Sequence, residues 1–166
     1  MHLEQSLAAV PHVERFPGPV VDVGSGGGAP GIPIAAALPD REVTLLEANG
    51  RKCAFLESVA RDFPNVRVVR GRAEEQGVDR YGVALAKALA PPAVALEWCL
   101  PLVAPGGAAI LFVGPAASAD ALARVSAQLG GGEPEAAGGL VVVPKAGPTP
   151  PGFPRRPGTA RKRPLA

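Results

Sequence analysis

Short apolar runs alternate with glycine- and proline-rich turns and with segments of helical period along this chain. Pro19 to Val23 (PVVDV) is an apolar run that ends in glycines, which predicts a buried strand. A glycine-rich turn spans Gly24 to Gly31, and Ile32 to Leu38 then predicts a helix. Glu42 to Leu46 predicts a second strand with Glu47 at its end. Asn49 is suited to cap a helix running to about Arg61, with Ala54, Phe55, Val59 and Ala60 on its buried face and Arg51, Glu57 and Arg61 toward water. Val66 to Val69 reads as a third strand, followed by a turn through Ala73 and Glu74, and Val83 to Ala86 as a fourth. Pro92 to Val103 predicts a helix with its prolines at the entry, where a missing N–H costs least. Pro105-Gly106-Gly107 reads as a turn, Ala108 to Val113 as a fifth strand, Ala119 to Leu129 as a helix and Leu140 to Val143 as a last strand.

Strands and helices alternating at this spacing give an α/β fold, a doubly wound, mostly parallel sheet of about seven strands with right-handed crossovers. The 166 residues are one ordinary domain's worth of chain, enough to bury a core without disulfides or metals. Aromatic residues are only 4%, so that core is aliphatic. Cys53 and Cys99 lie far apart and read as reduced core residues. With His2 and His12 the only histidines, no metal site is expected. No apolar run reaches the ~18 residues of a membrane span and no signal peptide is evident, which places the protein in the cytoplasm.

Charge is uneven. Residues 1–144 carry 11 basic and 15 acidic side chains, whereas residues 145–166 carry 6 basic and none acidic. Three segments follow: 1–18, which precedes the first strand; 19–144, the folded domain; and 145–166, a Pro- and Arg-rich tail expected to lack regular structure. Arg155, Arg156, Arg161, Lys162 and Arg163 put five cations within nine residues, and Pro154, Pro157 and Pro164 are expected to keep them on an extended strand. That arrangement suits a polyanion such as a nucleic-acid backbone. In the opposing expectation, Phe153 and Leu165 dock the tail on the sheet and complete the fold.

The segment VVDVGSGGGAPGIP, Val20 to Pro33, carries the chemistry. Glycines at the end of a first strand allow the backbone close to a ligand, and a helix start beyond them offers N–H groups. The segment satisfies G-x-G-x-x-A, so a dinucleotide is one candidate ligand. Glu47, at the end of the second strand, can accept hydrogen bonds from ribose hydroxyls, as in sites for NAD and for S-adenosylmethionine alike. Asp22, two residues before Gly24, favours S-adenosylmethionine, because a carboxylate there can help to hold the amino group of the methionine part. The absence of a second domain for hydride transfer points the same way.

Together these residues resemble the bacterial 16S rRNA guanine-N7 methyltransferase family, also known as glucose-inhibited division protein B or ribosomal RNA small subunit methyltransferase G. HLEQSLA (2–8) is similar to the end of the family's N-terminal helical segment, DVGSGGGAPGIP (22–33) to its cofactor loop and LLEANGRKCAFL (45–56) to its second strand and helix. GRAEE (71–75) and FPRRPGTARKRPL (153–165) are more specific than the loop. The resemblance implies a Rossmann-like methyltransferase fold, S-adenosylmethionine as cofactor and 16S rRNA or a small-subunit precursor as partner, with the protein acting as a monomer. It implies that Gly24, Gly26 and Ala29 line the methionine and ribose side, that Glu47 holds the ribose and that Ala73 and Glu74 lie beside the adenine. Lys87 stands where the family usually has an arginine near cofactor and substrate. Other departures are Gly82 for an aspartate, Val113 for a lysine and Gly138-Gly139 for Arg-His, and the chain starts within the family's N-terminal segment. They leave open a shortened homologue that binds cofactor with little turnover, and the glycine pattern alone leaves open an NAD-binding module.

Overall fold

The computed structural model describes residues 2–115 and 117–166. Seven strands form one sheet: β1 (Val20–Val23), β2 (Val43–Glu47), β3 (Val66–Arg70), β4 (Tyr81–Lys87), β5 (Val103–Phe112), β6 (Glu135–Ala137) and β7 (Leu140–Pro144). The helices are α1 (His2–Leu7), α2 (Val10–Glu14), α3 (Gly31–Ala37), α4 (Gly50–Ala60), α5 (Pro92–Cys99), α6 (Ala119–Gln128) and α7 (Thr159–Lys162). The sheet order is β3-β2-β1-β4-β5-β7-β6. The first five strands run parallel, and β7 pairs antiparallel with both β5 and β6. The expected doubly wound sheet is therefore present. Its order reverses beside β1, where the chain goes out to β2 and β3 and returns to β4, and the crevice at the strands' carboxyl ends opens there.

β1 and β2 are buried along their whole lengths because helices cover both faces. Successive residues feed opposite cores. Val21, Val23, Ala84, Ala86, Ala109 and Leu111 face one side with α5 and α6, while Val20, Val83, Leu85, Ala108 and Ile110 face the other with α2 and α3. Cys53 and Cys99 are free and buried, as the sequence implies.

Several local expectations change. α4 buries Cys53 and Leu56, and Phe55 is 53% exposed. The Asn49 side-chain Oδ1 accepts the N–H groups of Arg51 and Lys52, and the helix that starts from this cap turns positions 53 and 56 inward, leaving 54 and 55 on the outer face. The helix from Pro92 stops at Cys99 and a 3-10 turn, Leu100–Leu102, follows, since Pro101 has no N–H to continue the ladder. Pro105-Gly106-Gly107 lies within β5, at a shift of register between Tyr81 and Val83. β6 is absent from the sequence pattern because its three residues are not apolar in alternation. It meets β7 through Gly138 and Gly139, both at positive φ (54° and 83°), the backbone a two-residue hairpin requires.

Gly82 is also explained by packing. A side chain there would collide with the Pro17 carbonyl, and one at Gly107 would collide with the Gly82 carbonyl. Three backbones are stacked at a spacing only glycine permits.

Candidate functional site

The loop after β1 is tied down before it can be a binding surface. The N–H groups of Gly24 and Ser25 both donate to the Leu46 carbonyl of β2. Gly24, Gly26 and Gly28 have φ of 69°, 55° and 101°, which curls the backbone around the end of β1. Glu47 holds this curl to the next turn. Its Oε1 accepts from the Gly26 N–H at 2.9 Å and its Oε2 from the Asn49 N–H at 2.8 Å. A carboxylate oxygen has more than one lone pair, so each retains capacity for a ligand hydroxyl.

These residues border a cleft of about 1020 Å3 at the carboxyl ends of the strands. Gly24, Gly26, Ala29 and Glu47 line one side of it, and Ala73 and Glu74 a second. Lys87 also lines it, from the end of β4, with its ammonium 5.8 Å from the Phe112 ring centroid. The structure thus gathers seven of the eight residues assigned to cofactor from widely separated stretches of sequence. The volume lies at the upper end for a small-molecule site, roomy enough for a cofactor with part of a second molecule.

Asp22 is the exception. It is 1% exposed and does not border the cleft. Its Oδ2 accepts the Gly31 N–H at 3.0 Å, so it holds the first turn of α3 against β1, and that helix-start N–H faces the protein and not a ligand. A side chain at Gly31 would strike Leu45 and the Asp22 carboxylate, which is why glycine stands there. Burial pushes the Asp22 carboxyl up to about 7, against the lowering by the Gly31 hydrogen bond. Its Oδ1 has no hydrogen-bond partner among the described residues.

For the tail the structure follows the opposing expectation, with Phe153 and Leu165 docked on the fold. The segment is not an extended strand: both side chains pack against the core on the α5 face, Thr159–Lys162 form α7, and Ala160 is buried. The prolines punctuate the segment but leave 158–163 free of them, which suffices for one helical turn. Lys145 is buried as well, with its Nζ donating to Asp79, Thr149 and the carbonyls of Leu100 and Val103. Burial lowers its pKa, and Asp79 opposes that. Of the five tail cations, Arg155 grips Glu97. Arg161 lies over Trp98, 5.1 Å from the ring centroid, and donates to the Leu89 carbonyl at 3.3 Å. Arg161 and Lys162 border the cleft, whereas Arg155, Arg156 and Arg163 do not. Arg156, Arg161, Lys162 and Arg163 are exposed.

Sequence reasoning missed Trp98, Ser25, Lys52, Arg72 and Gly158 on the cleft wall. Trp98 is the chain's one tryptophan, the only signal that could have drawn notice. Gly158 enters because its N–H donates to Glu74 Oε2 at 3.1 Å, a contact across 84 residues. Among the described residues no cluster of side chains suits a metal ion, and no helix is long and apolar enough to cross a membrane.

Residues 1–129 match the family model described as rRNA small subunit methyltransferase G. Curated relatives carry the name ribosomal RNA small subunit methyltransferase G. One from Salinispora arenicola is 44% identical, over 81% of this chain and 60% of its own length. One from a Synechococcus strain is 38% identical, over 87% of this chain and 63% of its own. One from Roseiflexus castenholzii is 38% identical, over 99% of this chain and 78% of its own. The chain thus spans about 60% of the length of the first two. Among solved structures, a SAM-dependent O-methyltransferase from Thermotoga maritima superposes with a TM-score of 0.67 at 12% identity, over 86% of this chain and 65% of that one. Coclaurine N-methyltransferase, solved with N-methylheliamine and SAH, gives 0.57 at 17% identity, over 66% of this chain and 35% of that one. At these identities the likeness is one of fold.

Proposed function

Because the chain belongs to the rRNA small subunit methyltransferase G family, we propose that its cleft binds S-adenosylmethionine and that the protein methylates N7 of a guanine in 16S rRNA. The observation that carries this reading is the joining of the Gly24–Gly28 curl to Glu47 on the wall of a cleft that Lys87 also lines. The glycine backbone allows close approach, and the Glu47 carboxylate faces the cleft for a ribose diol. Ala73 and Glu74, which border the same cleft, would lie beside the adenine beyond that ribose. The seven-strand order, with β7 antiparallel between β5 and β6, differs from the all-parallel order of dinucleotide-binding sheets and speaks against an NAD module.

The cofactor supplies an electrophilic methyl group on a sulfonium. Guanine N7 has a free lone pair and loses no proton before attack, so the chain needs no general base. Its part is to bind, orient and exclude water, and proximity of this kind can supply ~7–11 kcal/mol in favourable cases. Lys87 offers a cation on the substrate side of the cleft, where it can donate to the purine's O6 or to a phosphate. As a point charge it lacks the planar fork of arginine. The exposed cations Arg156, Lys162 and Arg163, with Arg161 at the rim, supply the phosphate contacts, and sequence is read on exposed bases.

The test is transfer of labelled methyl from S-adenosylmethionine to small-subunit particles or 16S rRNA lacking the modification, followed by chemical cleavage at 7-methylguanine. Incorporation at one guanine is expected. A second reading, a degenerate homologue that binds cofactor and turns over little, rests on Lys87 and Val113 standing where the family resemblance leads one to expect an arginine and a lysine. S-Adenosylhomocysteine binding without methyl incorporation would establish that reading instead.

A further inference from the structure

The C-terminal segment is fastened at points of very different strength. Arg155 is anchored by two hydrogen bonds to buried Glu97, and its Nη2 also donates to the Arg163 carbonyl. Beyond that anchor the turn at Gly158 swings back over the cleft, and its contacts are lighter. On the cleft side they are the Gly158 N–H on Glu74 and Arg161 laid over Trp98 with one long hydrogen bond to Leu89, whereas the opposite side is seated by buried Ala160 and by Leu165 against the core. Gly158 has φ of 85°, the left-handed backbone needed to aim its N–H at Glu74 and start α7 at once. Glu74, Trp98 and Leu89 come from three different elements and all border the cleft, as do Gly158, Arg161 and Lys162.

The geometry points to Arg161 as a positioning residue of the ligand site: by bridging Trp98 and Leu89 it holds the turn Gly158–Lys162 in place as the cleft's outer wall, so that the C-terminal segment retains the bound cofactor as well as meeting RNA. The inference rests on the cleft being a site for S-adenosylmethionine. A guanidinium over an indole face is attracted by the ring's quadrupole, and a planar cation does this best. Removing it loosens the cleft side of the turn, while the Arg155–Glu97 anchor, buried Ala160 and Leu165 keep the segment on the fold. The indole face it covers would then also be open to solvent. A tail that only touched phosphates would leave cofactor affinity indifferent to Arg161.

The experiment uses the full chain and S-adenosylhomocysteine as probe, with calorimetric titration and thermal melting of wild type, Arg161→Ala, Arg161→Lys and, as a surface control on α6, Arg124→Ala. Arg161→Ala is expected to bind about three- to fivefold more weakly, the loss of one exposed cation–aromatic contact, with its melting midpoint unchanged. Arg161→Lys is expected to recover part of that loss and Arg124→Ala to match wild type. Affinity in Arg161→Ala equal to wild type overturns the inference. A wild type that fails to bind S-adenosylhomocysteine overturns the cofactor reading itself, a distinguishable result. If Arg161→Ala melts early, limited trypsin digestion of the wild type decides. Saturating S-adenosylhomocysteine should slow cleavage after Arg161 and Lys162 severalfold more than cleavage after Arg124. Equal slowing at all three, or none, overturns the inference.

Discussion

Arg155 meets Glu97 side-on, with Nε on Oε1 at 2.5 Å and Nη2 on Oε2 at 2.6 Å, joining residues 58 apart in the chain. The Glu97 side chain is 3% exposed and that of Arg155 23%. The pair raises the Arg155 pKa, the Glu97 hydrogen bonds outweighing burial. A pair of this kind adds little over an apolar pair of the same shape, but losing one member strands the other charge in the interior. Arg155→Ala is therefore expected to cost about 3–5 kcal/mol in denaturant unfolding. The double variant with Glu97→Leu should recover much of that loss. A cost under about 1 kcal/mol would show that the tail is not fastened there.

Asp22 makes stability depend on pH with an unusual sign. Burial raises its folded pKa from 3.8 to about 7, so between about pH 4 and pH 7 the folded state binds a proton that the unfolded state releases. Stability from this group is complete below about pH 4, falls as pH rises through that window and levels off above it. Three pH units correspond to roughly 4 kcal/mol as an order of magnitude. Asp22→Asn keeps an acceptor for the Gly31 N–H and removes the charge. Relative to wild type it is expected to gain stability progressively from pH 4 to 7, in urea melts at each pH. A constant difference across that range would place the Asp22 pKa near its ordinary value.

Gly82 stands where the family resemblance leads one to expect an aspartate. The Pro17 carbonyl occupies the space of any side chain at that position. Gly82→Asp is expected to destabilise by about 1–3 kcal/mol, the usual cost of overpacking, and not to restore activity. A stable Gly82→Asp variant would show that the segment before β1 can move aside.

The α/β alternation, the parallel core strands and the cofactor loop were legible because each rests on a local pattern. Apolar runs bounded by glycines set the strands, and Asn49 marked the start of its helix. Glu47 was legible as a residue of the cleft wall because it closes the second strand, next to the glycine turn that ends the first. What could not be read depends on distant partners. The identity of the Glu97 partner is fixed by where the tail crosses α5, and nothing near either residue announces it. The same is true of Gly158 on Glu74 and of Lys145, whose burial depends on Asp79 and Thr149 converging on it. The Asp22 hydrogen bond was illegible for a related reason. The position of Asp22 before the glycines suits a ligand contact, but the carboxylate is buried and accepts the Gly31 N–H, nine residues on.

Glu47 ties the Gly26 and Asn49 turns together and, on the proposed function, holds the ribose, so its replacement has two consequences. Glu47→Gln keeps an oxygen for one of the two N–H groups and places an amide against the other. Loss of charged hydrogen bonds to a ribose is worth roughly 1.5–3 kcal/mol, so affinity for S-adenosylhomocysteine is expected to fall about ten- to a hundredfold. Gly26→Val is expected to weaken it as well, since φ of 55° is strained for a branched residue and the side chain would enter the curl. Unchanged affinity in both variants would remove the loop and Glu47 from the site.

The most direct test of the cleft's assignment is a pair of calorimetric titrations of the full chain, one with S-adenosylhomocysteine and one with NAD, at the same protein concentration and salt. The account predicts saturable binding of S-adenosylhomocysteine at one site per chain and no heat of binding with NAD. Binding of NAD in its place, or of neither, would contradict it.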